Sequence, residues 1–138
     1  TTAIGSVTPS TGVFTTLTSN KTIQNRVSQA YTATDTMTAA NLIKGLITIT
    51  SGTDTLTLPT ATELATALSA GAGTTFDFVL ENIATGGTAL LQVNTGITAV
   101  SAITGGTTLS LAQSATAGIG VFRLTFISTT VAILSRLL

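Results

Sequence analysis

The clearest patterning begins at Leu46. In Leu46-Ile-Thr-Ile-Thr50 the apolar Ile47 and Ile49 fall on one face of an extended chain, with Thr48 and Thr50 on the other. Such alternation is the signature of a half-buried strand. Ser51-Gly-Thr-Asp54 carries turn chemistry, Thr55-Leu-Thr-Leu58 alternates again, and Pro59 stops it. The two runs predict a β-hairpin. Thr60 then stands three residues before Glu63, the capping-box spacing. Leu64 and Leu68 follow four apart and Gly71 sits where a helix would end, so one short helix is predicted over about 61–69.

Strand patterning resumes beyond the helix. Phe76, Phe78 and Leu80 share one face, with Asp77 and Glu81 on the other. Gly86-Gly87 and Gly105-Gly106 read as tight turns, because glycine accepts positive φ. Ala89–Val93 and Thr107–Leu111 are short strands, and Val121–Ile127 aligns Phe122, Leu124 and Phe126. Val131–Leu134 is apolar on both faces, as in a strand buried on both sides. Upstream, Tyr31–Thr38 alternates and could be a strand, and Ala39–Ile43 could be a helical turn. Seven or eight short strands with glycine-rich turns predict an all-β fold, a jelly-roll-like β-sandwich with one short helix.

Residues 1–20 differ. Gly5, Pro9 and Gly12 punctuate them, no period of 2 or 3.6 is sustained, and Ile4, Val7, Val13, Phe14 and Leu17 cannot bury one another. The expected organisation is an extended N-terminal attachment or collar segment over 1–20, a connecting segment with a possible strand over 21–45, and a β-sandwich head over 46–138. The chain begins at Thr1, as a fragment or processed form would.

Composition narrows the function. The 138 residues include no Cys, His or Trp. The commonest general base, nucleophile and metal ligands are therefore missing. Five cations and five carboxylates balance to zero charge. Scattered cations do not make a nucleic-acid surface, nor an attachment to an anionic membrane. No apolar run reaches the ~18 residues of a bilayer span, and no basic region followed by an apolar run marks a signal peptide. Thr fills 33 positions; its branched side chain suits strands, and its hydroxyl wets a surface without charge.

The remaining candidate chemistry is sparse. Asp77 and Glu81, four apart on one strand, lie ~13 Å apart, beyond the ~5–9.5 Å of a glycosidase acid pair. Asp35 and Asp54 read as turn or surface residues. Gly71-Ala-Gly73 and Gly118-Ile-Gly120 lack the lysine and full glycine set of phosphate loops. The Thr-x-Thr units at 32–38, 48–50 and 53–57 do not recur at the constant spacing of an ice-binding array. No catalytic residue, cofactor site or metal site is expected.

One segment carries a likeness. Ile4-Gly5-Ser6-Val7-Thr8-Pro9-Ser10-Thr11-Gly12-Val13-Phe14-Thr15-Thr16-Leu17 resembles the IGxxTPxxGxFTTL element of tail-fibre and virion-surface proteins of tailed phages and large DNA viruses. More loosely, Leu58–Leu64, Gly73–Asn82 and Phe122–Phe126 are similar to the β-sandwich heads of such proteins. The resemblance implies a homotrimeric fibre or capsid-decoration protein on the virion surface, bound to the major capsid protein or another virion protein. A receptor-binding tip for a host glycan or surface protein is the alternative. Residues expected at an oligomer or attachment interface are Ile4, Val7, Val13, Phe14, Leu17, Val131 and Ile133.

Overall fold

The computed structural model describes residues 26–100, 108–111 and 118–137. It is β-rich, with ten strands and two helices among those residues. In chain order these are β1 (Val27–Tyr31), β2 (Asp35–Thr36), α1 (Ala39–Leu42), β3 (Gly45–Ile49), β4 (Thr55–Thr57), α2 (Ala61–Leu68), β5 (Thr75–Asn82), β6 (Ala89–Gln92), β7 (Ile97–Val100), β8 (Thr108–Leu111), β9 (Ile119–Phe126) and β10 (Ala132–Arg136).

Two mixed sheets result. The larger has the order β1-β3-β5-β9-β10-β7, the smaller β2-β4-β6-β8. Successive strands from β1 to β9 alternate between them. Strands β1, β3 and β5 run parallel to one another in the large sheet, and β2, β4 and β6 do so in the small one. The first six strands thus wind as three stacked coils, β1-β2, β3-β4 and β5-β6, in the manner of a short β-solenoid. Strands β8 and β9 return antiparallel against β6 and β5. β10 then pairs antiparallel with β9 and parallel with β7.

This topology departs from the expected jelly roll, whose strands pair antiparallel. Among the described residues, five of the eight strand pairs are parallel. The expected hairpin of residues 46–58 is also corrected, because β3 and β4 belong to different sheets. Ser51–Asp54 turns the chain round a corner instead of folding it back. Asp54 accepts from the Ser51 and Thr34 hydroxyls, and Thr34 Oγ1 accepts from the Thr55 amide at 3.1 Å, which ties two corners together.

The helix near residue 61 forms as its sequence predicts. Thr60 Oγ1 accepts from the Glu63 amide at 3.2 Å, and Glu63 Oε2 accepts from the Thr60 amide at 2.8 Å. These bonds satisfy donors that the first turn leaves without intrahelical partners. The helix ends at Ser69, which adopts the left-handed conformation (φ 50°), and not at Gly71. Leu64 and Ala65 face the core.

The core is one cluster fed by both sheets. Phe78, Leu80, Phe122, Leu124 and Phe126 enter it from the large sheet, and Leu56, Leu91, Leu109 and Leu111 from the small one. The Phe78 and Phe122 rings stack at 5.4 Å. Fully burying a side chain of this size contributes about 1.5–3 kcal/mol. Tyr31, Met37 and Leu42 belong to the same cluster, so the stretch read as a connecting segment supplies two strands and a helix to it. Two polar contacts join the sheets, one inside the core and one at its exposed rim. Asn82, fully buried on β5, donates to the Leu111 carbonyl of β8 at 3.4 Å. Arg136 on β10 donates to the Ser110 carbonyl at 3.0 Å while its guanidinium lies over the Phe122 ring.

Candidate functional site

The carboxylates do not converge. Glu63 is held by the helix cap, and its two bonds to Thr60 lower its pKa. Asp54 braces the corner, and Asp35 accepts from the Thr36 amide at 2.7 Å. Asp77 faces Arg123 across the β5–β9 pair, in register. The two form a forked ion pair at 2.7 and 2.8 Å, a geometry suited to the planar guanidinium. Hydrogen bonding to Arg123 holds Asp77 below the ordinary carboxylate range. Glu81 lies four residues along the same strand face, beside Thr48 and Ile119. Among the described residues no group of three or more His, Cys, Asp or Glu could hold a metal ion. No helix among them is long and apolar enough to cross a membrane.

The broadest feature is the outer face of the large sheet. Strand alternation sends Phe78, Leu80, Phe122 and Leu124 inward and therefore Asp77, Val79, Glu81, Val121 and Arg123 outward. Register adds Leu46 beside Val79, and Thr125 and Ile133 as neighbours on β9 and β10. Ile119 and Val100 are exposed on this face. The face is mixed: Leu46, Val79 and Val121 stand in register across β3, β5 and β9, among Thr48, Thr75, Glu81, Thr125, Ser135 and the Asp77–Arg123 pair.

The interface expected from sequence falls partly here. Ile133 is half-buried on the outer face of β10. Val131, two residues earlier and 43% exposed, closes the 127–131 turn by accepting the Ile127 amide at 2.9 Å. The strand read as buried on both sides is therefore corrected. Only Ala132 and Leu134 are core, because the outer face of this sheet is open among the described residues. Ile4, Val7, Val13, Phe14 and Leu17 lie outside the described residues. What sequence reasoning missed is the assembly of the outer face from β3, β5, β9 and β10. Alternation marks each strand's two faces but not which strands stand side by side.

A second feature is a polar depression of about 290 Å³ at the β1–β2 corner, lined by Gln29, Tyr31, Thr32, Thr34, Asp35 and Asn41 among others. Asn41 Nδ2 donates to the Tyr31 hydroxyl at 3.3 Å, and Lys44 Nζ donates to Gln29 Oε1 at 2.5 Å.

Comparison with known proteins finds no matching family model, no significantly similar curated protein and no significantly similar solved structure.

Proposed function

We propose that this chain is a non-enzymatic structural protein of a virion surface: a homotrimeric capsid-decoration protein or fibre head, attached through its N-terminal segment. The observation that carries this reading is the likeness of residues 4–17 to the element found in virion fibre and surface proteins. The apolar row of Leu46, Val79 and Val121 on the outer sheet face fits assembly, since cyclic homo-oligomers bury such patches against copies of themselves. Dispersed carboxylates, each read above in a cap, a corner, an ion pair or alone on a strand face, fit a scaffold better than a catalyst. Within the β-rich fold, the head corresponds to the two sheets around their common core, and the receptor-binding role remains the second use of the same architecture.

Size-exclusion chromatography with light scattering tests the assembly. A trimer of the 13.8 kDa chain is expected at micromolar concentration; a monomer there overturns it. Val79→Lys and Ile133→Lys should each shift the mass toward monomer without changing the circular dichroism. Purified particles should capture the wild-type chain. Capture by host cells or a glycan array, with none by particles, would replace decoration with receptor binding.

A further inference from the structure

Gly45, the first residue of β3, leaves room for a long side chain to cross the strand. A Cβ there would stand 3.3 Å from Arg26 Cγ and 3.6 Å from Arg26 Cδ. The Arg26 side chain thus lies along the Gly45 backbone, and its Nη1 donates to the Gly45 carbonyl at 3.1 Å. Gly45 stands beside Val27 of β1 on one side. On the other side Leu46 stands beside Val79, so one step back along both parallel strands sets Gly45 beside Phe78, the neighbour of Asp77 in the chain. Arg26 therefore reaches from the start of β1 across β3 toward a carboxylate that Arg123 already holds from β9, at 2.7 and 2.8 Å. The hydrogen bond from Arg123 is the chief cause of the depressed Asp77 pKa; partial burial opposes it, and the charges of Arg123 and Arg26 add to it.

We propose that Asp77 is the shared counter-ion of Arg26 and Arg123, and that the three side chains clasp β1 and β9 to β5 across the strands between them, a clasp that opens when Asp77 is protonated. All five carboxylate side chains of the chain are among the described residues, and the other four are placed elsewhere. Glu63 is in the α2 cap, Asp54 at the corner and Asp35 on the Thr36 amide. Glu81 lies ~13 Å along β5. Lys44, the charged residue just before β3, donates to Gln29 Oε1 at 2.5 Å. With Asp77 ionised, one negative charge serves two guanidiniums. With it neutral, two like charges remain and repel. The contribution is present above the unfolded aspartate value of ~3.9 and is lost as pH falls through the lower folded value. The inference goes beyond the assembly reading: it concerns how the first strand is held to the rest of the sheet.

A double-mutant cycle on the full chain tests it. Arg26→Gln keeps a donor for the Gly45 carbonyl and removes the charge. In the wild-type background it should speed exchange of the Val27 amide, which donates to Lys44 O, by about two- to fivefold, the scale of a partly exposed charge pair. The Ala132 amide, bonded to Gly96 O at the β10–β7 side of the sheet, should be unchanged. In the Asp77→Asn background Arg26→Gln should have no further effect. Equal effects in both backgrounds, or none in either, overturn the proposal. The second readout is the titration of the Asp77 carboxyl by carbon NMR. Its midpoint should rise in Arg26→Gln, and the rise should vanish in 1 M salt, where the screening length is about 3 Å. A midpoint that stays in place would assign Arg26 to the Gly45 carbonyl alone and overturn the shared counter-ion. Neither readout is an oligomer mass, so this test and that of the assembly fail separately.

Discussion

Asn82 on β5 and Leu111 on β8 are joined by one buried hydrogen bond, from Nδ2 to the carbonyl at 3.4 Å. The same amide donates to Gly87 O at 3.3 Å and accepts from the Ala84 amide at 3.2 Å. A fully buried side chain therefore satisfies three main-chain groups, two in the β5–β6 link and one on β8. Asn82→Ala leaves the Leu111 carbonyl and the Ala84 amide unpaired away from water, where each costs about 1–3 kcal/mol. Partial relaxation leaves an expected loss of about 2–4 kcal/mol, read from the urea midpoint at unchanged m-value.

Gly96 has φ +81°, and a Cβ there would come within 2.3 Å of the Thr130 carbonyl and 2.8 Å of Ala61 Cβ. Neither neighbour is a flexible chain end. Gly96→Ala combines backbone strain with a clash and should destabilise by at least about 2 kcal/mol, lowering the melting temperature by several degrees. Gly71→Ala, with open space at its Cβ and no positive φ, serves as the control and should leave it nearly unchanged.

The α2 cap can be tested in two ways. Thr60→Ala removes the side-chain acceptor of the Glu63 amide and should cost about 1 kcal/mol. Glu63 titrates below its ordinary value because it accepts from the Thr60 amide and hydroxyl. A depressed carboxyl pKa stabilises the fold fully above the unfolded value of ~4.3 and loses that contribution as pH falls through the folded value. Glu63→Gln should therefore flatten the acid limb of the stability profile below about pH 4.3.

Asp77 behaves alike for a different reason. Arg123, in register on β9, lowers its pKa chiefly through the forked hydrogen bond. Its stabilising effect is present above the unfolded aspartate value of ~3.9 and fades as pH falls through the lower folded value. Asp77→Asn should be less stable than wild type at pH 7 and equal to it at strongly acid pH. Part of the neutral-pH difference should disappear in 1 M salt, where the screening length is about 3 Å.

Sequence and structure agree where the signal is local. Thr60 and Glu63 announce the helix because the cap is made within four residues. Phe76–Leu80 and Phe122–Phe126 announce β5 and β9 because alternation records which face is wet. The winding between two sheets is not local. Ser51–Asp54 has the residues of a hairpin turn, and those residues serve a corner equally well. No constant period betrays the coils: β1 and β3 pair 18 residues apart, whereas β3 and β5 pair 33 apart, with α2 in the longer link. Val131–Leu134 is apolar on both sides, yet Ile133 stands beside Thr125 on a face left open among the described residues, so an apolar residue there does not report burial. The same limit hid the outer face itself, which exists only once Leu46, Val79, Val121 and Ile133 are brought together.

The place of β10 has a mechanical consequence. It lies between β9 and β7, so Leu134 is laddered to Leu124 on one side and to Ala99 on the other. A force drawing Leu137 along the strand axis meets two rows of hydrogen bonds in shear, which must break together, instead of one row opening in sequence like a zip. Tension applied at this strand would therefore be shared between β9 and β7.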